Sequence, residues 1–364
     1  MGIPGLFRTI LKKYPNTIEW KFMKTDYYFM DFNSFMHITI GKYISKNKEK
    51  LYKLSQTKIE NEIIKDLIKK TQEIVNIVKP QKLLYIAIDG SAPLAKISQQ
   101  RARRYKGILM SDYVNVLRKK YKIKKELPVV NSDVWDSVGI SPGTKFMKKV
   151  STAFQKAIKS GKFCKHLKDI TDFKIMFSDT SMPGEAEHKI MMFIRMLIEK
   201  SILKKSDKIT IYSEDADLIV LNFSYNYEIR IQRPVKSEDR DKYPKELPND
   251  VNYVYFLVNE FKVALIKEVR WEKLNIDRLV YDYIFLSLMG GNDFVKPLPY
   301  LKVNTKLWGK DGLSNIINYY NNVRQPDQYL INNNFTVNTP IFKALINEMA
   351  KHEDKAMKIL YKKC

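Results

Sequence analysis

The sequence predicts an α/β fold, with a largely parallel central sheet flanked by helices and a helical C-terminal extension. Three observations predict it. Short apolar runs recur along the chain, each ending in an acid. Stretches with helical apolar spacing lie between them, and no internal repeat or low-complexity tract interrupts the alternation. Strands of continuous apolar character alternating with helices belong to a parallel sheet covered on both faces. In such sheets the ligand crevice opens beyond the carboxyl ends of the strands, so acids at several strand ends converge on one place.

The elements follow in order. "YYFMDFN" places Asp31 after the first strand-like run, and "IENEIIKDLIKKTQEIVNIV" then repeats apolar residues at helical spacing. "KLLYIAIDG" ends a second strand at Asp89. "FKIMFSDTSMPGEAEHKIMMFIRMLI" reads as a strand, a Pro-Gly turn and a helix opening at Glu185 and Glu187. "KITIYSEDADLIVL" brings a further strand to Asp215 and Asp217. Residues 225–250 are polar and broken by prolines, so a loop or insertion is expected there. "YFLVNEFKVALIKEV" and "IDRLVYDYIFLSLMGGNDF" read as two helices, the second stopping at Gly290-Gly291 with Asp293 just beyond. From about residue 310 the tail is helical and loop-like, with Thr336 or Asn338 capping a last helix. Residues 1–300 are expected to form one domain and 301–364 its helical extension.

Composition narrows the partners. The chain of 364 residues, 45% hydrophobic and 29% charged, is long enough for a sizeable core. Its 64 Lys and Arg against 40 Asp and Glu give a formal charge of +24, which points to a polyanion, nucleic acid before an anionic membrane surface. No run of 18 uncharged apolar residues exists to span a bilayer, and the N-terminus lacks a secretory pattern. Gly2 invites a myristoylation reading, but Leu6 stands where that signal wants Ser or Thr. Two cysteines, Cys164 and Cys364, make neither a disulfide framework nor a zinc site, so an intracellular, reducing compartment is expected, cytoplasmic in preference to nuclear. Four histidines (His37, His166, His188 and His352) disfavour imidazole-based metal chemistry.

Two sets of residues carry chemistry. In "DGSAPLAKISQQRARRYK" a helix from Pro93 places Lys96, Gln100, Arg103 and Arg104 on one face, a set of donors whose natural occupant is a phosphate. A solvated basic face is the alternative. The second set is seven carboxylates at element ends: Asp31, Asp89, Glu185, Glu187, Asp215, Asp217 and Asp293. Taken singly, several suit helix caps or first turns. Pooled, they would repel one another unless neutralised. Hard oxygen ligands select Mg²⁺ or Mn²⁺, and two such ions suit phosphodiester hydrolysis. His37, six residues after Asp31, could lie beside a substrate base or simply pack. His188 suits a local hydrogen bond and Asp282 an ordinary helix position. Trp135 sits among turn signals.

The blocks "MGIPGLF", "DFNSFMH", "IDGSAPLAKISQQRARRY", "ISPGTKFM", "PGEAEHKIM", "EDADLIVL" and "FLSLMGGNDFVKPLPYL", in this order, resemble those of the eukaryotic-type 5′→3′ exoribonucleases. That family lies within the wider flap-endonuclease-like 5′ nuclease superfamily, which shares single blocks such as "DADL". The tail "FTVNTPIFKALINEM" is similar to the end of the family's first conserved region. The resemblance implies a 5′-nuclease-like fold and hydrolysis of single-stranded, 5′-monophosphorylated RNA to mononucleotides. It implies that the seven acids bind metal and that Lys96, Gln100, Arg103 and Arg104 form the 5′-monophosphate pocket. His37 matches a histidine that stacks on the first base against a tryptophan from a second conserved region. The chain is expected to lack that region, leaving room for a protein partner to supply it. "NDFVKPLPYLKVNTKLW" lacks the glycine pattern with which DNA-directed relatives bind duplex backbone, which favours RNA. A flap-type DNA nuclease and a catalytically impaired RNA-binding relative are the competing readings.

Overall fold

The computed structural model describes residues 3–121, 134–161, 163–164, 170, 172–243, 247–269, 275–292, 295–325 and 327–362. Seven strands lie among them: β1 Ile18–Glu19, β2 Tyr27–Asp31, β3 Leu83–Ala87, β4 Lys174–Ser178, β5 Lys208–Tyr212, β6 Glu228–Pro234 and β7 Tyr253–Leu257. The helices are α1 Leu6–Lys13, α2 Phe32–Leu51, α3 Gln56–Val78, α4 Leu94–Lys120, α5 Lys145–Lys159 and α6 Ala186–Glu199. They continue with α7 Asp217–Leu221, α8 Val258–Val269, α9 Ile276–Met289, α10 Gly312–Val323 and α11 Thr339–Tyr361. The chain divides into two units, residues 22–213 and residues 1–21 with 214–364.

In the unit of residues 22–213, four strands run parallel in the order β5-β2-β3-β4. β2 and β3 are buried along their whole length, which is why both read as unbroken apolar runs. In register, Phe29 faces Tyr85 and Met30 faces Ile86. On the Phe29 face lies α6, whose Phe193 stacks on Tyr85 at 4.6 Å and meets Phe29 edge-on at 6.3 Å. On the opposite face α2 brings Phe35 against Tyr212 at 5.4 Å, and α5 stacks Phe154 on Phe177 at 5.7 Å. Each fully buried aromatic of this kind contributes about 1.5–3 kcal/mol. All four carboxyl ends share one edge, as a parallel sheet requires, so Asp31, the end of β2, and Asp89, two residues past β3, come to the same side.

The other unit holds an antiparallel ribbon, β1-β7-β6, and the helices α8 to α11. Its core is an aromatic cluster in which Phe261 packs edge-on against Tyr14, Phe223 and Phe256, while Phe223 stacks on Tyr283 at 5.4 Å. Two expectations are corrected here. Residues 225–250 are not a continuous loop, because Glu228–Pro234 forms β6 with Arg230 and Gln232 buried in it. The stretch read as one helix from "YFL" onward begins as strand β7, and helix α8 starts at Val258 directly after Leu257 without an intervening turn.

Candidate active site

Asp31 ends β2 and caps α2. Its Oδ1 accepts from the Ser34 amide at 3.5 Å, and its Oδ2 accepts from the Ser34 and Ser213 hydroxyls at 2.8 and 2.9 Å. Asp89 is locked to Asn33 in both directions: its Oδ2 accepts from Asn33 Nδ2 at 2.8 Å and its amide donates to Asn33 Oδ1 at 3.1 Å. Its other oxygen accepts from the Ala186 amide at 2.7 Å, at the start of α6. Gly90 makes this approach possible. A Cβ there would lie 1.9 Å from the Met182 carbonyl oxygen, while its amide donates to Gly184 O and the Gly184 amide donates back to Ser91 O, both at 2.9 Å. The loop after β3 is thus stitched to the turn that delivers Glu185.

Glu185 precedes α6 as its N-cap residue, and Glu187 lies in the first turn. Both are buried. Glu185 Oε1 pairs with Lys96 Nζ at 3.0 Å, both side chains being 6% exposed. Glu185 Oε2 is buried with no hydrogen-bond partner, and His188 Nδ1 lies 3.8 Å away, too far for the local hydrogen bond expected of it. Burial, and then the charge of Asp31, push the Asp89 carboxyl up to about 7; the Ala186 hydrogen bond opposes them. An orphaned carboxylate oxygen beside a carboxyl that resists ionisation is what a missing counter-charge leaves behind. Ligand atoms of Glu185, Glu187 and His188 lie within 4.8 Å of one another. The donors are mostly carboxylate oxygens, so the residues present fit a hard divalent cation.

The other expected residues are placed as follows. Asp215 and Asp217 lie three and five residues beyond Tyr212, the end of β5, in the second unit. Asp217 opens α7 and its Oδ1 accepts from the Leu218 amide at 3.1 Å. Asp293 lies outside the described residues. Lys96, Gln100, Arg103 and Arg104 all sit on α4, but not in one environment. Lys96 is buried against Glu185, Gln100 is half-buried, and Arg103 and Arg104 are exposed, Arg104 Nη2 donating to Ser141 Oγ at 2.7 Å. His37 is exposed on α2, yet the protein around it lowers its pKa by desolvation, against a smaller upward pull from Asp31. Trp135 is buried and packs on Phe146 at 4.8 Å, so it is a core residue. Asp282 is no ordinary helix residue: it is fully buried and accepts from Tyr320 Oη and from the Leu330 and Ile331 amides at 2.6–3.0 Å.

Sequence reasoning missed four residues that build the site. Ser34, three residues after Asp31 at the start of α2, had its spacing as the available signal, whereas Asn33 carried none for Asp89. Ser213 carried none. Lys189, one turn beyond Glu185 on α6, is buried and donates to Ile88 O at 2.7 Å and Asp179 O at 2.9 Å, tying the loops after β3 and β4 together. Among the described residues no helix is long and apolar enough to cross a membrane.

A family model described as the XRN 5′-3′ exonuclease N-terminus matches residues 1–233, and one described as the Xrn1 helical domain matches residues 273–362. The 5′-3′ exoribonuclease 1 of Saccharomyces cerevisiae is 32% identical over 321 residues, covering 84% of this chain and 20% of that protein. The 5′-3′ exoribonuclease 2 of Candida albicans is 27% identical over 350 residues (83% and 35%), and the human 5′-3′ exoribonuclease 1 is 28% identical over 321 residues (84% and 18%). The chain therefore spans about a fifth to a third of the length of these relatives. Among solved structures, the catalytic core of Rad2 in complex with DNA substrate aligns with a TM-score of 0.38 and 12% identity, covering 96% of this chain and 81% of that one, a likeness too loose to carry an argument. Because the N-terminal family model matches more than half of the chain, the chain belongs to the XRN 5′-3′ exonuclease family.

Proposed function

We propose that this chain carries a metal-dependent 5′→3′ exoribonuclease that degrades single-stranded, 5′-monophosphorylated RNA to nucleoside monophosphates. The observation that carries this reading is the buried Lys96–Glu185 pair, which couples the donor face of α4 to the acid cluster. A terminal phosphate held by that face would lie beside the carboxylates, so the scissile bond would be one nucleotide from the anchor. Two Mg²⁺ or Mn²⁺ ions would activate water and stabilise the leaving oxygen. On this reading Asp31, Asp89, Glu185 and Glu187, with Asp215, Asp217 and Asp293, supply the oxygen ligands. Gln100, Arg103 and Arg104 bind the phosphate with Lys96, and His37 lies along the first base. Residues 1–300 form the nuclease domain and 301–364 its helical extension. A reducing cytoplasmic compartment suits Cys164, a buried thiol whose pKa burial pushes up to about 12.

The test uses four RNAs differing only at the 5′ end, with a matched DNA, each with and without Mg²⁺. A monophosphate offers terminal oxygens to charge-assisted donors, and a hydroxyl end offers none. The expected order is monophosphate well ahead of hydroxyl, triphosphate and capped RNA, with DNA slower still. Arg103→Ala should slow the monophosphate substrate alone. Equal rates on all four RNAs would remove the pocket, and faster cleavage of DNA would move the chain to the flap-nuclease reading.

A further inference from the structure

In the unit formed by residues 1–21 and 214–364, a tight turn closes at Leu307 and Lys310, whose backbones exchange two hydrogen bonds of 3.0 Å. Both central residues have positive φ, 51° at Trp308 and 77° at Gly309, as a type I′ turn requires. Asn-Gly is the sequence such a turn favours, and a bulky residue at positive φ is a genuine outlier. Strain of this kind persists where the surroundings fix it, and it gathers at ligand contacts. Here the surroundings are specific. The indole meets His352 edge-on at 6.1 Å, and His352 in turn stacks on the buried Tyr319 at 4.9 Å and lies 3.8 Å from Glu348. Trp308 is nevertheless 41% exposed. Trp308 is therefore held in one orientation with part of its ring open to solvent.

Cations flank it. Lys306 and Lys310 stand two residues to either side, both exposed. Gly309 and Lys310 also line a recess of about 200 Å³ together with Lys13, Ser314, Asn318 and Asn321. That is below the roughly 300–1,000 Å³ of drug-sized sites. Lys13 is among its lining residues, and its Nζ donates to Oγ of Ser314, another of them, at 2.9 Å. The carboxylate of the recess, Asp311, is committed to capping α10 through the Ser314 amide and hydroxyl at 2.9 and 2.7 Å. Two ammonium groups and two amides thus outweigh one engaged acid, which is a phosphate-accepting composition. An oriented aromatic face between lysines, beside a small donor-rich recess, is the pairing that single-stranded nucleic acid uses: bases stack and phosphates take the cations.

We infer that the Leu307–Lys310 turn and the adjoining recess on α10 form an accessory contact for single-stranded RNA. A base stacks on Trp308, and a neighbouring phosphate enters the recess lined by Lys13 and Lys310. The inference rests on RNA being the substrate. It gives RNA a contact within this unit, on residues other than the donors proposed on α4, and gives the turn's strained tryptophan a purpose.

The experiment measures equilibrium binding of 5′-monophosphorylated oligouridylates, from three nucleotides upward, to the full chain with divalent ions chelated so that nothing is cut. Trp308→Asn suits the test because it places at positive φ a residue the turn accepts. It is expected to weaken long strands by about 5- to 150-fold, the value of one stacked base, and to leave the trinucleotide unchanged. Trp308→Phe should recover most of the loss. Lys310→Ala should lower the salt slope of long-strand binding by about 0.7. Unchanged long-strand binding by Trp308→Asn overturns the inference while the exoribonuclease reading stands. An equal loss on the trinucleotide also overturns it, because damage would then be general. Failure of the unaltered chain to bind RNA of any length would overturn both.

Discussion

Asp89, half-buried, and Asp282, fully buried, are both carboxylates desolvated by the protein around them, one in each unit, and their partners make them opposites. Asp282 is surrounded by donors: Tyr320 Oη and the amides of Leu330 and Ile331. Burial raises its pKa and those hydrogen bonds pull it back. Asp89 also accepts hydrogen bonds, from Asn33 and Ala186, but the charges of Asp31 and Glu185 add to burial and carry it to about 7. Close by, Glu185 leaves one buried oxygen without a donor. A carboxylate saturated with donors is finished and serves the fold. Crowded carboxylates with an unsatisfied oxygen suit a cation, and on the proposed reading they serve chemistry.

The sharpest way to break this contrast is to neutralise each acid. Asp89→Asn keeps the shape and removes the charge a metal would need, so hydrolysis should fall by more than about 100-fold, beyond the range seen when only a supporting residue is altered. The chain should stay folded. Activity within twofold of the unaltered protein, measured on 5′-labelled RNA with Mg²⁺, would place Asp89 outside the reaction. Asp282→Ala should do the reverse. It removes the acceptor of three hydrogen bonds in a buried place, at about 1–3 kcal/mol each, so stability should fall by about 3 kcal/mol or more. Turnover per folded molecule should hold at low temperature. Denaturant unfolding and active-site titration together read both quantities.

The pH dependence of stability sharpens the same point without any RNA. The folded Asp89 titrates near 7 against an ordinary value of 3.8. Between these values the folded chain keeps a proton that the unfolded chain has released. Stability contributed by this group is therefore full below about 4 and is lost as pH rises towards about 7. Added divalent cation at neutral pH should restore it, because binding to the folded state alone stabilises that state. Melting temperatures in chelator from pH 4 to 8 should decline more steeply for the unaltered chain than for Asp89→Asn. Identical curves would show that Asp89 is not held protonated.

What the sequence could reveal follows from how far apart partners lie. β2 and β3 were legible because each is a continuous apolar run closed by an acid. β6 was not, because its buried positions include Arg230, paired with Glu228, and Gln232, which imitate a polar loop. β7 was merged with α8 because "YVYFLVNEF" holds no turn residue where the strand ends and the helix begins. Asp31 at the end of β2, Asp89 just past β3, and Glu185 and Glu187 at the start of α6 stand at the element ends that the apolar runs indicated. Their partners were not legible: Asn33 for Asp89, Ser213 for Asp31 and Lys96 for Glu185 are brought together only by the fold. Lys96 read as one of four equivalent phosphate donors on a helix face, and only tertiary structure separates it, buried against Glu185, from exposed Arg103.

A third aspartate sets the lower end of the scale. Asp239 accepts from Lys242 Nζ at 2.6 Å and Arg8 Nη2 at 3.0 Å, with a side chain about one quarter exposed. The Lys242 hydrogen bond is the main cause of its lowered pKa; slight burial opposes it, and the charges of Lys242 and Arg8 assist. Cations rather than neutral donors satisfy it, and water screens them, so Asp239→Asn should cost no more than about 1 kcal/mol, shrinking as salt is added. Its pH dependence should have the opposite sign to that of Asp89. A depressed folded pKa gives stability that is present above the ordinary aspartate value and is lost as pH falls through the folded one. The difference in melting temperature between Asp239→Asn and the unaltered chain should therefore be small at pH 7 and vanish in acid, while the Asp89→Asn difference grows from acid to neutral pH. A large neutral-pH loss in Asp239→Asn would mean that a cation-paired surface acid can matter as much as a buried one saturated with donors, and the ranking of the three carboxylates by their partners would fail.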